Sequence, residues 1–414
     1  MSTSENLTAE EAALCEKVVS GELSLRKIEE ETDKTTASKV RRAALEKMKD
    51  VEFDHLSNFT FDVEQVTKKN IENLIGAVQI PVGVAGVLKI SGEYADGEYY
   101  LPLATTEGAL VASVNRGCSV ITKSGGATVR VFKNMMTRAP AFKLRNLEET
   151  KKFYDLISQP EMIEKIKAAS DATTKHGKLL SVEPFVSGNN VHIRLGFDTK
   201  DAMGMNMITI ASEAITKMIT EETGVPCLTL SGNMCTDKKP SAVNAILGRG
   251  KTVVAEAKLN AGFIEKTLKC NAQAMFEVNY RKNLIGSLRA GSLGFNAHAA
   301  NIVAALFIAC GQDPAHVVEG SLTITEMDVT EDGDLLCSVT MPAVEVGTVG
   351  GGTSIATQRE CLNLLGVAGS GEIPGHNALA LSEIVAAAVL AGEISLVAAQ
   401  AAGHLARAHA QLGR

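Results

Sequence analysis

A chain of 414 residues with a formal charge of −7 has no general basic excess, which excludes a broad nucleic-acid role and leaves only local basic pockets. With 45% hydrophobic and 21% charged residues it reads as a globular protein of several domains, at roughly 100–200 residues each. Its eight cysteines show no C-x-x-C spacing, which points to reduced, buried thiols and away from a structural zinc site.

Residues 1–20 are polar and acidic, without a basic start or an apolar core, so no secretory signal is expected. Thr8 and Glu11 have capping-box spacing ahead of Ala12, Leu14 and Val18. A second, basic helix is expected over residues 38–49, and residues 1–71 read as a helical unit with a solvated charged face. From Glu72 the texture turns apolar. Ile80-Pro81-Val82-Gly83-Val84 reads as strand or buried loop. Residues 106–116 read as a helix, with Thr105 or Thr106 as N-cap and Gly117 just past its end.

Residues 148–172 read as one amphipathic helix. Val191-His192-Ile193-Arg194-Leu195 alternates as a strand does, ahead of a turn at Asp201 and a helix through Ile219. A small α+β unit over about 140–230 follows from this pattern. Residues 297–310 and 378–412 read as long, mostly buried helices rich in alanine. The most apolar stretch, 384–392, is shorter than the ~20 residues that a bilayer span needs, so no membrane segment is expected.

Two cofactor signatures fail on inspection. No G-x-G-x-x-G occurs, and Gly250-Lys251-Thr252 lacks the earlier glycine of a phosphate loop, because Ala245 stands there. Asp201-Ala202-Met203-Gly204-Met205-Asn206-Met207 is a better candidate. Its glycine lets backbone approach a phosphate at a helix start, although a methionine-rich core turn reads equally well. Gly350, Gly351 and Gly352 suit either a ligand-side loop or a tight turn.

Glu107 falls in the expected first helical turn, where the helix dipole favours its charge. A proton donor there would need burial or a neighbouring acid, and Asp313, after the apolar run 303–309 and before Pro314, is the candidate neighbour. On the irregular loop before Pro240, Lys238 and Lys239 can point apart, one inward and one to solvent. His404 and His409, five apart, lie about 140° apart around a helix and cannot share a metal.

Taken together, Ala104-Thr105-Thr106-Glu107-Gly108, the Asp201 segment, Cys235-Thr236-Asp237-Lys238-Lys239-Pro240 and Gly311-Gln312-Asp313 resemble hydroxymethylglutaryl-CoA (HMG-CoA) reductases. So do Glu72-Asn73-Leu74-Ile75-Gly76, Ile80-Pro81-Val82-Gly83-Val84-Ala85-Gly86, Val346-Gly347-Thr348-Val349-Gly350-Gly351-Gly352-Thr353 and Ala402-Gly403-His404-Leu405. The resemblance runs from about Glu72 to the C-terminus.

It implies an α+β fold. A large domain, 72–139 and 231–414, would be split around a long central helix by a small ferredoxin-like nucleotide-binding domain, 140–230, after an N-terminal helical domain, 1–71. It implies NADPH-dependent reduction of HMG-CoA to mevalonate and CoA, in two hydride steps without a metal. Lys238 would stabilise the oxyanion, His409 would protonate the departing CoA thiolate, and Glu107 would supply the second proton. Asp313 would link Glu107 with Lys238.

Arg138, Ser231, Asp237 and Lys282 would hold the substrate, with Ser113, Asn115 and Arg116 on the CoA side. Asp201, Met205, Asn206, Gly350 and Gly351 would hold the cofactor. Thr174 and Lys175 fall where class I members place a Ser-Arg pair near the adenosine 2′-phosphate. The short C-terminal end favours class I over an NAD-linked mevalonate-oxidising relative, and the intact Glu107, Lys238, Asp313 and His409 argue against a non-catalytic CoA-binding paralogue. The resemblance also implies a cytoplasmic homodimer or homotetramer with sites at subunit contacts. Glu107 and Lys238 would come from one chain and Asp313 from its neighbour, with no role for nucleic acid or membrane.

Overall fold

Period-2 burial along the strands sets the layout of the sheet. The computed structural model describes residues 7–403. Its strands are β1 (Val82–Ser91), β2 (Asp96–Ala104), β3 (Ala127–Arg138), β4 (Ala141–Lys143), β5 (Lys178–Ser187), β6 (Asn190–Asp198), β7 (Cys227–Thr229), β8 (Arg249–Leu259), β9 (Ile324–Val329) and β10 (Leu335–Val344). They pair in the order β7-β4-β6-β3-β8-β10-β9, with β1 beside β2 and β3, and β5 beside β6. All these neighbours are antiparallel except β1 and β3.

Val253, Ala255, Ala257 and Leu259 on β8, and Leu335, Cys337, Val339 and Met341 on β10, turn the same face inward. β3 serves two neighbourhoods. Thr128 to Met135 pair with β8, whereas Met136, Thr137 and Arg138 pair with β6.

Three separate apolar clusters follow. One runs from Cys15 to Ala44, one from Met136 to Ile219, and the largest gathers β1, β2, β8 and β10 around the helix His376–Ala401. That helix is long and apolar enough to cross a bilayer, longer than the 384–392 stretch suggested, yet 83% of its most apolar part is buried inside the protein. Two buried carboxylates fix it. Glu383 accepts the main-chain N–H groups of Glu93, Tyr94 and Ala95 at 2.7–3.1 Å, and Glu393 accepts those of Ala297 and His298 at 2.7 Å. Each buried charge is thereby hydrogen-bonded, which offsets its desolvation.

Several expected boundaries move. The helix expected at 106–116 spans Leu110–Lys123, entered through Ala109 in the left-handed region, and runs through Gly117. A Cβ at Gly117 would stand 1.9 Å from the Ala391 carbonyl oxygen, so this glycine permits close helix packing and ends nothing. The helix expected at 148–172 is two, Leu147–Ile157 and Pro160–Asp171, with Pro160 opening the second. Near the N-terminus the Thr8–Glu11 capping box forms. The helix Lys34–Lys49 is not merely solvated, because Arg41 and Arg42 are buried and donate to the Leu74 and Ile75 carbonyls at 2.9 and 3.0 Å.

Candidate active site

The segment joining β7 to β8 carries Lys238 on a constrained backbone. Asn233, Thr236 and Lys238 have φ of 66°, 51° and 58°, a left-handed conformation that side chains resist. Neighbouring groups hold it. Asn244 Nδ2 donates to the Thr236 carbonyl (3.1 Å), Thr137 Oγ1 to that of Cys235 (3.2 Å), and the Lys238 main-chain N–H to a Glu319 carboxylate oxygen.

So directed, Lys238 Nζ lies 2.8 Å from Asp313 Oδ2. The hydrogen bond to Asp313 holds the ammonium above the usual lysine range. Burial works against the Asp313 charge, but Lys238, the Ala315 N–H and His316 outweigh it and hold the carboxyl below its usual range. Lys239 turns back to the Asp237 carbonyl at 3.0 Å, so the two lysines do diverge.

Beneath this pair lies a buried charge cluster that the sequence reading did not find. Arg249, the first residue of β8, is fully buried. It reaches Asp237 at 3.1 Å, Glu319 at 3.3 Å and Glu345 at 3.2 Å, and donates to Thr137 Oγ1 at 3.2 Å. Buried His316 places Nε2 3.8 Å from both Asp237 and Asp313. Burial pushes the Glu345 carboxyl up to about 7, with Arg249 and His316 opposing. Asp237, His316 and Glu319 are spaced closely enough to ligate a metal, but the Arg249 guanidinium already supplies their cation. The available signal was an acid inside apolar sequence, Val344-Glu345-Val346, which cannot stay there unpaired.

Around Lys238, Arg138 donates to Thr209 Oγ1 at 2.9 Å and stands 3.8 Å from Asp237, while Ser231 Oγ lies 3.4 Å from Cys235 Sγ. Arg138, Ser231 and Asp237 thus stand near the Lys238 loop. Among the described residues, no hydrogen bond or ion pair joins Lys282 to them. It sits half-buried on the π-helical stretch Asn279–Gly286, bonded to Asn283 at 2.9 Å. Burial lowers its pKa, against the pull of Glu393.

Glu107 also stands apart. It lies in an exposed turn three residues before its helix, so the helix-dipole argument does not apply. Its carboxylate accepts from Asn301 Nδ2 at 3.4 Å. Asn301 in turn meets His298 Nδ1 at 3.4 Å, and His298 Nε2 bonds the Gly392 carbonyl at 2.9 Å. Asn301 and His298 are thus further residues of this side. Among the described residues, no hydrogen bond or ion pair joins Glu107 to Asp313 or Lys238. Lys238 and Asp313, expected from different chains, pair within one.

Asn115 shares a groove of about 480 Å³ with Glu107 and Val84. Ser113 and Arg116 face the other way and bond Ser395 on the central helix at 2.9–3.0 Å. His409 and His404 lie outside the described residues.

A cavity of about 670 Å³ reaches Asp313 from the side of the Asp201 turn. Met205, Asn206, Gly350 and Gly351 line it. The helix Met205–Thr223 begins at Gly204 without a side-chain cap, leaving N–H groups for an anion. Gly311 brings Asp313 to the glycine loop, since a Cβ there would lie 2.4 Å from the Gly352 carbonyl oxygen.

Asp201 is placed differently from expectation. It is buried, and its carboxylate accepts the N–H groups of Gly375 (2.8 Å) and Ala378 (3.2 Å), capping the central helix while its carbonyl accepts from Thr348. It holds the turn and does not line the cavity. Thr174 packs on Met207 at 3.4 Å, beside the cavity, with Lys175 exposed next to it. Lys251 is buried in β8 and donates to the Val346 carbonyl at 2.8 Å, which suits no phosphate loop.

The chain matches the family described as hydroxymethylglutaryl-coenzyme A reductase over residues 37–414. It is 54% identical over 404 residues to a 3-hydroxy-3-methylglutaryl-coenzyme A reductase of Pyrococcus abyssi, across 97% of this chain and 99% of that one. Identity to the protein of that name from Methanocaldococcus jannaschii is 52% over 407 residues, across 97% and 98% of the two chains. Among solved structures, a class II reductase of Streptococcus pneumoniae bound to NADPH superposes with a TM-score of 0.64 at 20% identity, covering 87% of this chain and 82% of that one. This last likeness concerns the fold, mixed α and β with a mostly antiparallel sheet.

Proposed function

Because the chain belongs to the hydroxymethylglutaryl-coenzyme A reductase family, we propose that it reduces HMG-CoA to mevalonate and CoA with NADPH. The observation that carries this reading is the Lys238–Asp313 pair at the end of a cavity walled by a glycine loop and an uncapped helix start. Those free N–H groups and close-approach glycines suit a dinucleotide's phosphates.

NADPH, when bound, supplies a hydride for each of the two reductions. The protein's residues manage charge and protons. Lys238 faces the oxyanion that forms at the reduced carbon, an effect worth ~2.7–4 kcal/mol in comparable sites. Asp313 keeps that ammonium charged and aimed. Arg138, Ser231 and Asp237 bind the acyl portion beside it. Glu107 gives a proton to the aldehyde oxygen in the second reduction, and His409 protonates the departing thiolate in the first.

The site is completed between two protomers. Lys238 and Asp313 come from one, and Glu107, with Asn301, His298 and Lys282, comes from its partner. Support comes from exposed apolar side chains: Val84, which lines the Glu107 groove, and Leu228 and Ile246, on the elements that flank the Lys238 loop. The segment 140–230 is read as a ferredoxin-like unit inserted between 72–139 and 231–414. The antiparallel order β7-β4-β6-β5, with helices between β4 and β5 and between β6 and β7, supports it. The separate cluster of residues 15–44 supports a helical unit over 1–71. A cytoplasmic location fits the eight unpaired cysteines.

The test is an assay of NADPH oxidation with purified protein. Oxidation should require HMG-CoA, release CoA thiol, and disappear in Lys238→Ala. Oxidation that proceeds equally without the thioester would overturn the reading.

A further inference from the structure

We propose that Lys69 binds the diphosphate of the cofactor, so that the N-terminal helical segment forms part of the dinucleotide site. The proposal rests on the reading of the 670 Å³ cavity as the NADPH site. The short helix Val63–Lys69 opens on Asp62, whose side chain accepts the Gln65 N–H at 3.1 Å, and closes at Asn70. Its last turn carries two lysines, Lys68 and Lys69. The negative end of the helix accounts for a lysine there. It does not account for position: Lys69 and Asn70 line the cavity and Lys68 does not.

Charge decides the ligand. Among the described residues, Lys69 and Asp313 are the only charged ones lining the cavity, and Asp313 is already paired with Lys238. The Lys69 ammonium has no hydrogen-bond or ion-pair partner among the described residues, and Asn70 Oδ1 is buried without a hydrogen bond. A lone cation and an unsatisfied amide therefore share one chamber with the uncapped start of Met205–Thr223 and with Gly350 and Gly351, whose φ of 77° and 53° fit a backbone close to a ligand. Those free N–H groups form the diphosphate cradle, and among the described residues Lys69 is the only lining side chain that adds positive charge to it. Lys175 does not line the cavity, which leaves it for the adenosine end.

The test is calorimetric titration of the full chain with NADPH and NADH. Lys69→Ala should weaken both cofactors alike, by about five-fold, the size of an exposed ion pair. Lys69→Glu should weaken them further, Lys69→Arg should restore affinity, and Lys68→Ala should change nothing, with thermal melts confirming the fold. Unchanged affinity in Lys69→Ala would overturn the proposal, as would an equal loss in Lys68→Ala, which reports field and not contact. A loss confined to NADPH would place Lys69 at the 2′-phosphate and overturn the diphosphate assignment. Met207→Trp fills the cavity. If it leaves NADPH binding intact, the cavity reading itself fails; if it abolishes binding while Lys69→Ala does nothing, only the Lys69 assignment fails.

Discussion

Lys238 Nζ and Asp313 Oδ2 are 2.8 Å apart in a single chain, although they stand 75 positions apart in sequence with β8 and several helices between them. The pair fixes a charge where the reaction creates one. Lys238→Ala should lower kcat by roughly 10²–10³-fold, the loss seen when an oxyanion donor is removed, with a much smaller change in NADPH affinity. Single-turnover kinetics with the thioester checks this. Equal losses in kcat and cofactor affinity would mean that Lys238 serves the cavity more than the chemistry.

The pH dependence follows from the same pair. Asp313 raises the lysine, so the ammonium persists to higher pH than an ordinary lysine. Asp313→Asn removes that support, and the alkaline limb of kcat should move to lower pH. The contribution to stability has the same sign: complete below the ordinary lysine range and lost as pH rises through the raised value. Both side chains are partly exposed, so that contribution stays small. The pH–rate profiles of the two proteins test the shift, and superimposable alkaline limbs would contradict it.

Glu345 predicts a slope of the same sign in a lower pH window. Its folded value of about 7 lies above the ordinary 4.5, so between those pH values the folded state holds a proton that the unfolded state has released. Stability should therefore fall as pH rises through that window, by on the order of 3 kcal/mol in total. Glu345→Gln should flatten the dependence. Denaturant unfolding at pH 5 and 7.5 measures it, and parallel profiles for the two proteins would show that Glu345 is not the titrating group.

Arg249→Leu should be severe. It leaves Glu319 and Glu345 buried without their cation and frees Asp237, at a cost of about 3–5 kcal/mol. Activity should fall beyond what the unfolded fraction explains, because the Lys238 loop loses its anchor. A variant that melts at the wild-type temperature would remove the cluster from the account.

What the sequence made legible, and what it did not, follows contact range. The segments around Lys238, Asp313 and Gly350 could be named because each is a local motif, and the structure gathers them at one cavity. Arg249, Glu319 and Glu345 escaped because none belongs to a local motif, and only tertiary pairing gives each its meaning. Gly117 looked like a helix end because local propensity says so, whereas a backbone contact with Ala391 requires the glycine in mid-helix. Asp201 looked like a ligand contact because an acid beside a glycine turn fits that pattern as well as it fits a helix cap. Nothing local distinguishes the two until Gly375 and Ala378 arrive from 174 and 177 residues away.

The shared site is tested most directly by mixing inactive variants under subunit exchange. Lys238→Ala mixed with Glu107→Ala should regain activity, since one of the two sites in each hybrid then has Lys238 and Asp313 from one chain and Glu107 from the other. Lys238→Ala mixed with Asp313→Ala should stay inactive, because every site in that hybrid lacks one member of the pair. Activity recovered in the second mixture, or none in the first despite demonstrated exchange, would contradict the account.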